Sequence, residues 1–283
     1  MDRWQEKLRV LDTGGPWFAP WRDVGKRVAA SLAGGAPLHE ALNAHATAAL
    51  RFVSSHELPP ATAYEQYIFE TARCPTRENL HDFFNGLCWL QLPLAKRRLN
   101  ELQAGEIARA GVGGVRGPVR DAITVFDENG ALLDAPPAIW EALLARDWLR
   151  LFIDLRPLWA QARIVVFGHA LLEKLAEPRK DITAHVWVKV PPRSAFCASP
   201  QGAPPAARQS RFRGGPRMDI RFCSMAAVDR WLAGQFTADT LATKPFTPLP
   251  VMGMPGWTPE NETLSFYDDP LVFRPAGRGT SRT

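Results

Sequence analysis

Residues 75–92, Pro-Thr-Arg-Glu-Asn-Leu-His-Asp-Phe-Phe-Asn-Gly-Leu-Cys-Trp-Leu-Gln-Leu, restrict the fold more than any other part of the chain. Leu80, Phe83, Phe84 and Leu87 recur at i, i+3, i+4 and i+7, so they share one helix face and demand an apolar neighbour. Thr76 offers an N-cap hydroxyl, Glu78 an acid in the first turn, and Pro93 ends or kinks the helix after Leu92. A second stripe at the same spacing, His81, Asn85 and Cys88, flanks the core stripe where the hydrophobic pattern asks for no polar group. A histidine half-desolvated beside a buried stripe stays near neutrality and can serve as acid or base. Asp82 or another carboxylate would fix its tautomer, although helix geometry turns Asp82 about 100° away from His81. Alternatively, His81 and Asn85 bond nearby backbone and only hold a neighbouring segment in place.

Around this helix the spacing predicts a helix-rich α+β fold in a single mixed domain over 1–283, with a helical N-terminal part at 1–60. Helical spacing runs from Trp21 to about Phe52, broken at Gly34-Gly35 and restarted at Pro37. Arg51-Phe52-Val53 and Tyr64 to Glu70, rich in aromatic and branched residues, predict extended segments about the Pro59-Pro60 turn. A helix from Leu94 to about Ala104 would expose Lys96, Arg97 and Arg98. Gly111 to Gly117 is glycine-rich, but its third glycine falls one place late for a dinucleotide fingerprint, which makes it a loop. Asp121 to Leu133, centred on Asn129-Gly130, predicts a β-hairpin. Trp140 to Trp159 reads as helix and Ile182 to Val190 as a half-buried strand. Arg163 to Phe167 fits either a short buried strand or the lead-in to a helix, and Met218 to Phe236 reads as strand then helix. Lys244 to Pro275 carries seven prolines and predicts an irregular strap anchored by Phe246, Trp257, Phe266, Tyr267 and Phe273.

Composition narrows the function classes. The net charge of +5 suggests an anionic partner, yet Arg193, Arg208, Arg211, Arg213 and Arg217 sit in an acid-free Pro/Ala/Gly-rich segment, 193–217, without which 29 basic residues face 29 acidic ones. A mobile loop is expected there and a disordered tail at 276–283, and the neutral remainder argues against nucleic acid. Cys74, Cys88, Cys197 and Cys223 form no C-x-x-C pair and suit reduced thiols. With no signal-peptide pattern and no apolar run of spanning length, a cytoplasmic bacterial protein is expected.

Two further clusters carry chemistry. Arg116, Arg120 and Asp121 would stand at the mouth of the hairpin, where a guanidinium can grip a carboxylate or phosphate; Asp127 and Glu128 read as turn residues at its tip. In Phe167-Gly168-His169-Ala170 the glycine permits close backbone approach beside a histidine. His169 with His81 and a carboxylate would make an acid–base or metal centre, though no ligand spacing specifies a metal. Serine-nucleophile elbows, phosphate loops, His-Glu-x-x-His and catalytic-cysteine signatures are absent from the sequence.

The chain resembles the bacterial family known as domain of unknown function 3025 (DUF3025). The matching pieces are Pro75-Thr76-Arg77 with His81-Asp82-Phe83-Phe84-Asn85, Arg120-Asp121-Ala122 with Phe126-Asp127-Glu128, and Phe167-Gly168-His169-Ala170-Leu171. Further on, Pro250-Val251, Gly253, Pro255-Gly256-Trp257 and Phe266-Tyr267-Asp268-Asp269 also match, so that the family-like core spans 64–275. The resemblance implies no activity and no cofactor. The residues themselves point to an enzyme for a small polar or anionic ligand, with His81, Asp82, Asn85, Asp121 and His169 as catalytic candidates and Arg77 and Arg120 binding substrate. The competing expectation is a non-catalytic binding or scaffold protein in which the same residues are structural and the two histidines are dispersed or fully hydrogen-bonded to backbone, with no polar-lined pocket between them. A third places RNA or a membrane surface on the arginine loop.

Overall fold

Pro118 at the start of a helix, followed by Val119, Ala122, Ile123 and Phe126 on one buried face, decides the architecture around the site. In a computed structural model, which describes residues 3–46, 50–111, 117–188 and 224–275, the chain is a helix-rich α+β structure. The helices are α1 (Arg3–Val10), α2 (Arg22–Ala33), α3 (Leu38–Asn43), α4 (Tyr64–Thr71), α5 (Leu80–Gln91), α6 (Pro93–Ala110), α7 (Pro118–Asn129), α8 (Pro137–Ala145), α9 (His169–Lys174), α10 (Met225–Gln235) and α11 (Ala238–Ala242), joined by short 3-10 and π turns. Strands β1 (Arg51–Ser54) and β2 (Arg73–Thr76) form a parallel pair. Strands β3 (Gly130–Asp134), β4 (Arg163–Val166), β5 (Thr183–Trp187) and β6 (Phe246–Pro250) form a second sheet in the order β4-β3-β5-β6. In it β3 is antiparallel to β4 and parallel to β5, and β6 is antiparallel to β5.

Several expectations are corrected. No hairpin forms at Asn129-Gly130: residues 118–129 are helical, because four apolar residues at helical spacing outweigh local turn chemistry, and Asn129-Gly130 marks the switch from α7 into β3. Tyr64 to Glu70 is helix α4 instead of extended, with Tyr67 and Ile68 turned inward. Thr76 ends β2, and the cap of α5 is Asn79, whose side-chain oxygen accepts from Asp82 N at 2.7 Å. The strap holds one strand, β6, and three short 3-10 turns; prolines 248 and 250 are tolerated because β6 is an edge strand. Helix continues after Ala104 to Ala110, and Trp140 to Trp159 divides into α8 and two short turns. Arg163 to Val166 is strand β4. The segments 193–217 and 276–283, Arg116 and the predicted strand from Met218 lie outside the described residues.

One apolar cluster runs from Trp4 to Phe273 and holds the elements in place. Phe84 stacks on Phe18 with ring centroids 5.7 Å apart, so α5 is clamped to the N-terminal turns. Phe126 on α7 packs against Phe167, Trp187, Phe236 and Phe246, tying the helix to the sheet and the strap. Burying a phenylalanine completely contributes about 2–3 kcal/mol, so this cluster fixes α7 against the sheet. Among the described residues no helix is long and apolar enough to cross a membrane.

Candidate functional site

Gly168 brings the start of α9 against the end of α7. Its N–H donates to Gly130 O at 2.9 Å, and a Cβ at this position would lie 2.4 Å from Glu128 O and 2.5 Å from Asn129 N. Only glycine lets the start of α9 press against the end of α7. His169, the next residue, is therefore held against Asp127 and Glu128.

Helix α5 faces this junction, and its flanking stripe supplies the other half. The rings of His81 and His169 stand edge to face with centroids 4.5 Å apart, and their Nε2 atoms are 3.0 Å from each other. His81 Nδ1 lies 2.9 Å from Glu173 Oε2, so Nδ1–H donates to that carboxylate and Nε2 points to His169. His169 Nε2 lies 3.5 Å from Glu128 Oε2, and its Nδ1 lies 3.6 Å from Asp127 Oδ2. His81, His169 and Glu128 each offer a ligand atom, and these atoms lie within 4.8 Å of one another, near enough to hold a cation. The hydrogen bond to Glu173, helped by Glu128 and opposed by partial burial, raises His81 above the ordinary imidazole value. Burial drives His169 down to about 3, despite the pull of Asp127, which keeps that ring neutral.

Behind the pair sits a buried charge. Lys96, 4% exposed, places Nζ 2.5 Å from Asp127 Oδ1. Burial pushes the ammonium down, but Asp127 and neighbouring acidic groups outweigh it and hold it above its ordinary value. Burial would raise the Asp127 carboxyl, yet the Lys96 ammonium beside it brings it below its ordinary value. Glu128 is pushed up by burial and then by Asp127.

These groups line a cavity of about 590 Å³ between α4, α5, α6, α7 and α9. Lys96, Asn100 and Gln103 from α6 and Arg120, Thr124 and Asp127 from α7 form two facing rows at helical spacing. At the far end Arg120 is 8% exposed; its Nη1 donates to Gly111 O at 3.3 Å, while its Nε has no partner among the described residues. Asn85 Oδ1 and Gln103 Oε1 are likewise buried and unpartnered.

The sequence-predicted residues therefore divide. His81, Asn85, His169 and Arg120 meet on the cavity wall. Asp82 lines it too, but its carboxylate is engaged: Oδ2 accepts from Arg77 N at 2.7 Å and from Arg77 Nε at 3.1 Å, and Oδ1 from Arg77 Nη2 at 2.8 Å. That pair ties β2 to α5, and it leaves Arg77, 63% exposed, at the rim. Asp121 does not line the cavity; one position on from Arg120 it turns outward and pairs with Lys244 Nζ at 2.5 Å. Cys88 is buried, with Sγ 3.3 Å from Phe167 O.

A family model described as "Protein of unknown function (DUF3025)" matches residues 50–277, which take in every element of the cavity. The chain belongs to the DUF3025 family. No curated protein and no solved structure matches it.

Sequence reasoning missed four participants in this DUF3025 protein. Asp127 and Glu128 read as turn residues because the hairpin was expected there; the i, i+4, i+7 spacing of Arg120, Thr124 and Asp127 is the signal that would have placed them. Lys96 read as exposed, although Lys96, Asn100 and Gln103 repeat at helical spacing on the same side as Leu99. Glu173, one turn after His169, carries no local signal of its pairing with His81 92 residues away.

Proposed function

We propose that this protein is an enzyme acting on a small anionic substrate held in the cavity, with His81, His169 and Glu128 as the reacting centre. The observation that carries the reading is the meeting of two histidines from separate helices, Nε2 to Nε2 at 3.0 Å, on the wall of a 590 Å³ cavity. Such volumes are those of small-molecule pockets, and the wall is rich in polar and charged side chains that can set the orientation of a polar ligand. Arg120 supplies a positive charge for an anionic group of the substrate. Seven residues of α7 separate it from Asp127, about 10 Å along the helix, so one metabolite-sized molecule spans from guanidinium to centre. Asn85, with an unpartnered oxygen on the same wall, orients the substrate between them. A scaffold role predicts histidines that are dispersed or fully hydrogen-bonded to backbone, with no polar-lined pocket between them.

The test is to incubate a mixture of anionic metabolites with the protein and follow every ion by mass spectrometry. Wild-type protein is expected to consume at least one anion and release a product, and His81→Ala to leave that anion untouched while keeping its melting temperature. An unchanged mixture in which one anion stays bound to the protein would replace the enzyme reading with a binding one.

A further inference from the structure

We infer that His81 Nε2, His169 Nε2 and a carboxylate oxygen of Glu128 bind one divalent transition-metal ion of the zinc or iron(II) class, with open coordination positions turned into the cavity. The inference rests on the reading of this cluster as the reacting centre and states what that centre is made of.

Distances come first. Ligand atoms about 2.1 Å from a common ion lie about 3.0 Å apart at a right angle and about 3.4 Å apart at the tetrahedral angle. The two Nε2 atoms are 3.0 Å apart, and His169 Nε2 lies 3.5 Å from Glu128 Oε2. These are separations between neighbouring ligands of a single ion, from three side chains on three helices, so no local turn geometry produces them.

The outer groups give a second, independent argument. A metal-binding histidine typically turns its other ring nitrogen to a carboxylate, which fixes the tautomer and strengthens the donor. His81 is set this way, with Nδ1 2.9 Å from Glu173, while His169 Nδ1 lies 3.6 Å from Asp127 Oδ2, too far for a hydrogen bond and with no other partner among the described residues. Asp127 is in turn held by Lys96 at 2.5 Å. Each imidazole thus presents its Nε2 toward the other, and Glu128 adds the anionic ligand. Two imidazoles with one carboxylate suit borderline transition metals, whereas magnesium and calcium prefer oxygen throughout. Three protein ligands leave positions for water or substrate, as in catalytic and not structural sites.

The occupant that competes with a metal is a single proton shared between the two Nε2 atoms. Calorimetric titration of the metal-stripped full chain with zinc separates the two. One ion per chain is expected, with affinity at least 100-fold weaker in His169→Ala, and about 10–100-fold weaker in Glu128→Gln and in Glu173→Gln. Asp121→Asn, outside the cavity, should bind as wild type. If His169→Ala fails to fold, judged by its metal-free melting curve, the two glutamine variants carry the comparison. Failure of the wild type to bind zinc, manganese or iron(II), or zinc affinity unchanged in both glutamine variants, overturns the metal site. Turnover that survives chelation but is lost in His81→Ala overturns the metal while sparing the enzyme. Tight zinc binding with no metabolite consumed supports the metal and removes the enzyme.

Discussion

The C-terminal strap buries Asn261 beside the half-buried Arg156, the cavity wall holds a half-buried Asn85 and a buried Arg120, and the two regions dispose of these polar groups in opposite ways. In the strap, Asn261 is fully buried and its amide donates to Met252 O at 2.8 Å and Met254 O at 2.7 Å, while its oxygen accepts from Arg156 at 3.1 Å. Tyr267 completes the knot, its hydroxyl 3.0 Å from both Gly253 O and Asn261 O. In the cavity, among the described residues, Asn85 has a long contact of 3.4 Å with Tyr64 and an oxygen without a partner, and Arg120 Nε has none. Buried polar groups are nearly always satisfied, so the strap's network accounts for itself as structure. Among the described residues Asn85 Oδ1, Gln103 Oε1 and Arg120 Nε stand on the cavity wall without a partner, whereas in the strap Trp257 Nε1 is the one such atom.

The largest expected effect comes from the cavity group that breaks this division. Lys96→Met removes the partner of Asp127 and leaves a carboxylate without its counter-charge, so destabilisation of about 3–5 kcal/mol is expected in urea unfolding. Lys96→Met with Asp127→Leu should recover most of that loss. A single variant as stable as wild type would mean that water in the cavity already screens Asp127, and that the pair serves function alone.

Asn261→Ala comes next. It strips donors from two buried carbonyls and the acceptor from Arg156, at a cost of about 3 kcal/mol. Zinc affinity and turnover should match wild type in the folded fraction. A change in either would join the strap to the site and end the contrast.

The strap also shows what a sequence can carry. Its aromatic anchors were readable, because Trp257, Tyr267 and Phe273 have no apolar use in a disordered tail, and all three are buried. So was the stripe of His81 and Asn85, since helical spacing alone puts them beside Phe84. The pairing of His81 with His169 was named only as a combination, because their meeting depends on Gly168 seating against Glu128 and Asn129, a backbone contact across 39 residues. The hairpin failed for a related reason: Asn129-Gly130 is strong turn chemistry over four residues, but Val119, Ala122, Ile123 and Phe126 bury a whole helix face. Asp229 shows the limit most plainly. Its carboxylate accepts from Leu94 N and Ala95 N at 3.0 and 2.8 Å, capping α6 from α10, and no local pattern joins residues 134 apart.

Arg120→Gln sharpens the comparison from the cavity side. Among the described residues the guanidinium makes one long hydrogen bond, to Gly111 O at 3.3 Å, so stability should stay within about 1 kcal/mol of wild type. Loss of a charge-assisted contact to an anion should weaken capture of the consumed metabolite by about 10–100-fold, seen as a rise in KM with zinc affinity unchanged. A stability loss as large as that of Asn261→Ala would make Arg120 a structural residue like Arg156.

The smallest effect is a slope. Burial, and then the charge of Asp127, raises the Glu65 carboxyl above its ordinary value, with Lys96 and the Asn100 amide, 2.6 Å from Oε2, pulling it back. A carboxyl raised on folding holds its proton more tightly in the native state, so its contribution is complete below the ordinary value of about 4.5 and fades as pH rises through the folded value. Glu65→Gln keeps an acceptor for Asn100 and removes the titration. The melting temperature of wild type should therefore fall relative to Glu65→Gln as pH is raised from 4.5 toward 7. Parallel curves would mean that the cavity wall at Glu65 is as wet as the surface. The unpartnered atoms on that wall would then be satisfied by water, and Arg120 and Asn85 would need no substrate to explain them.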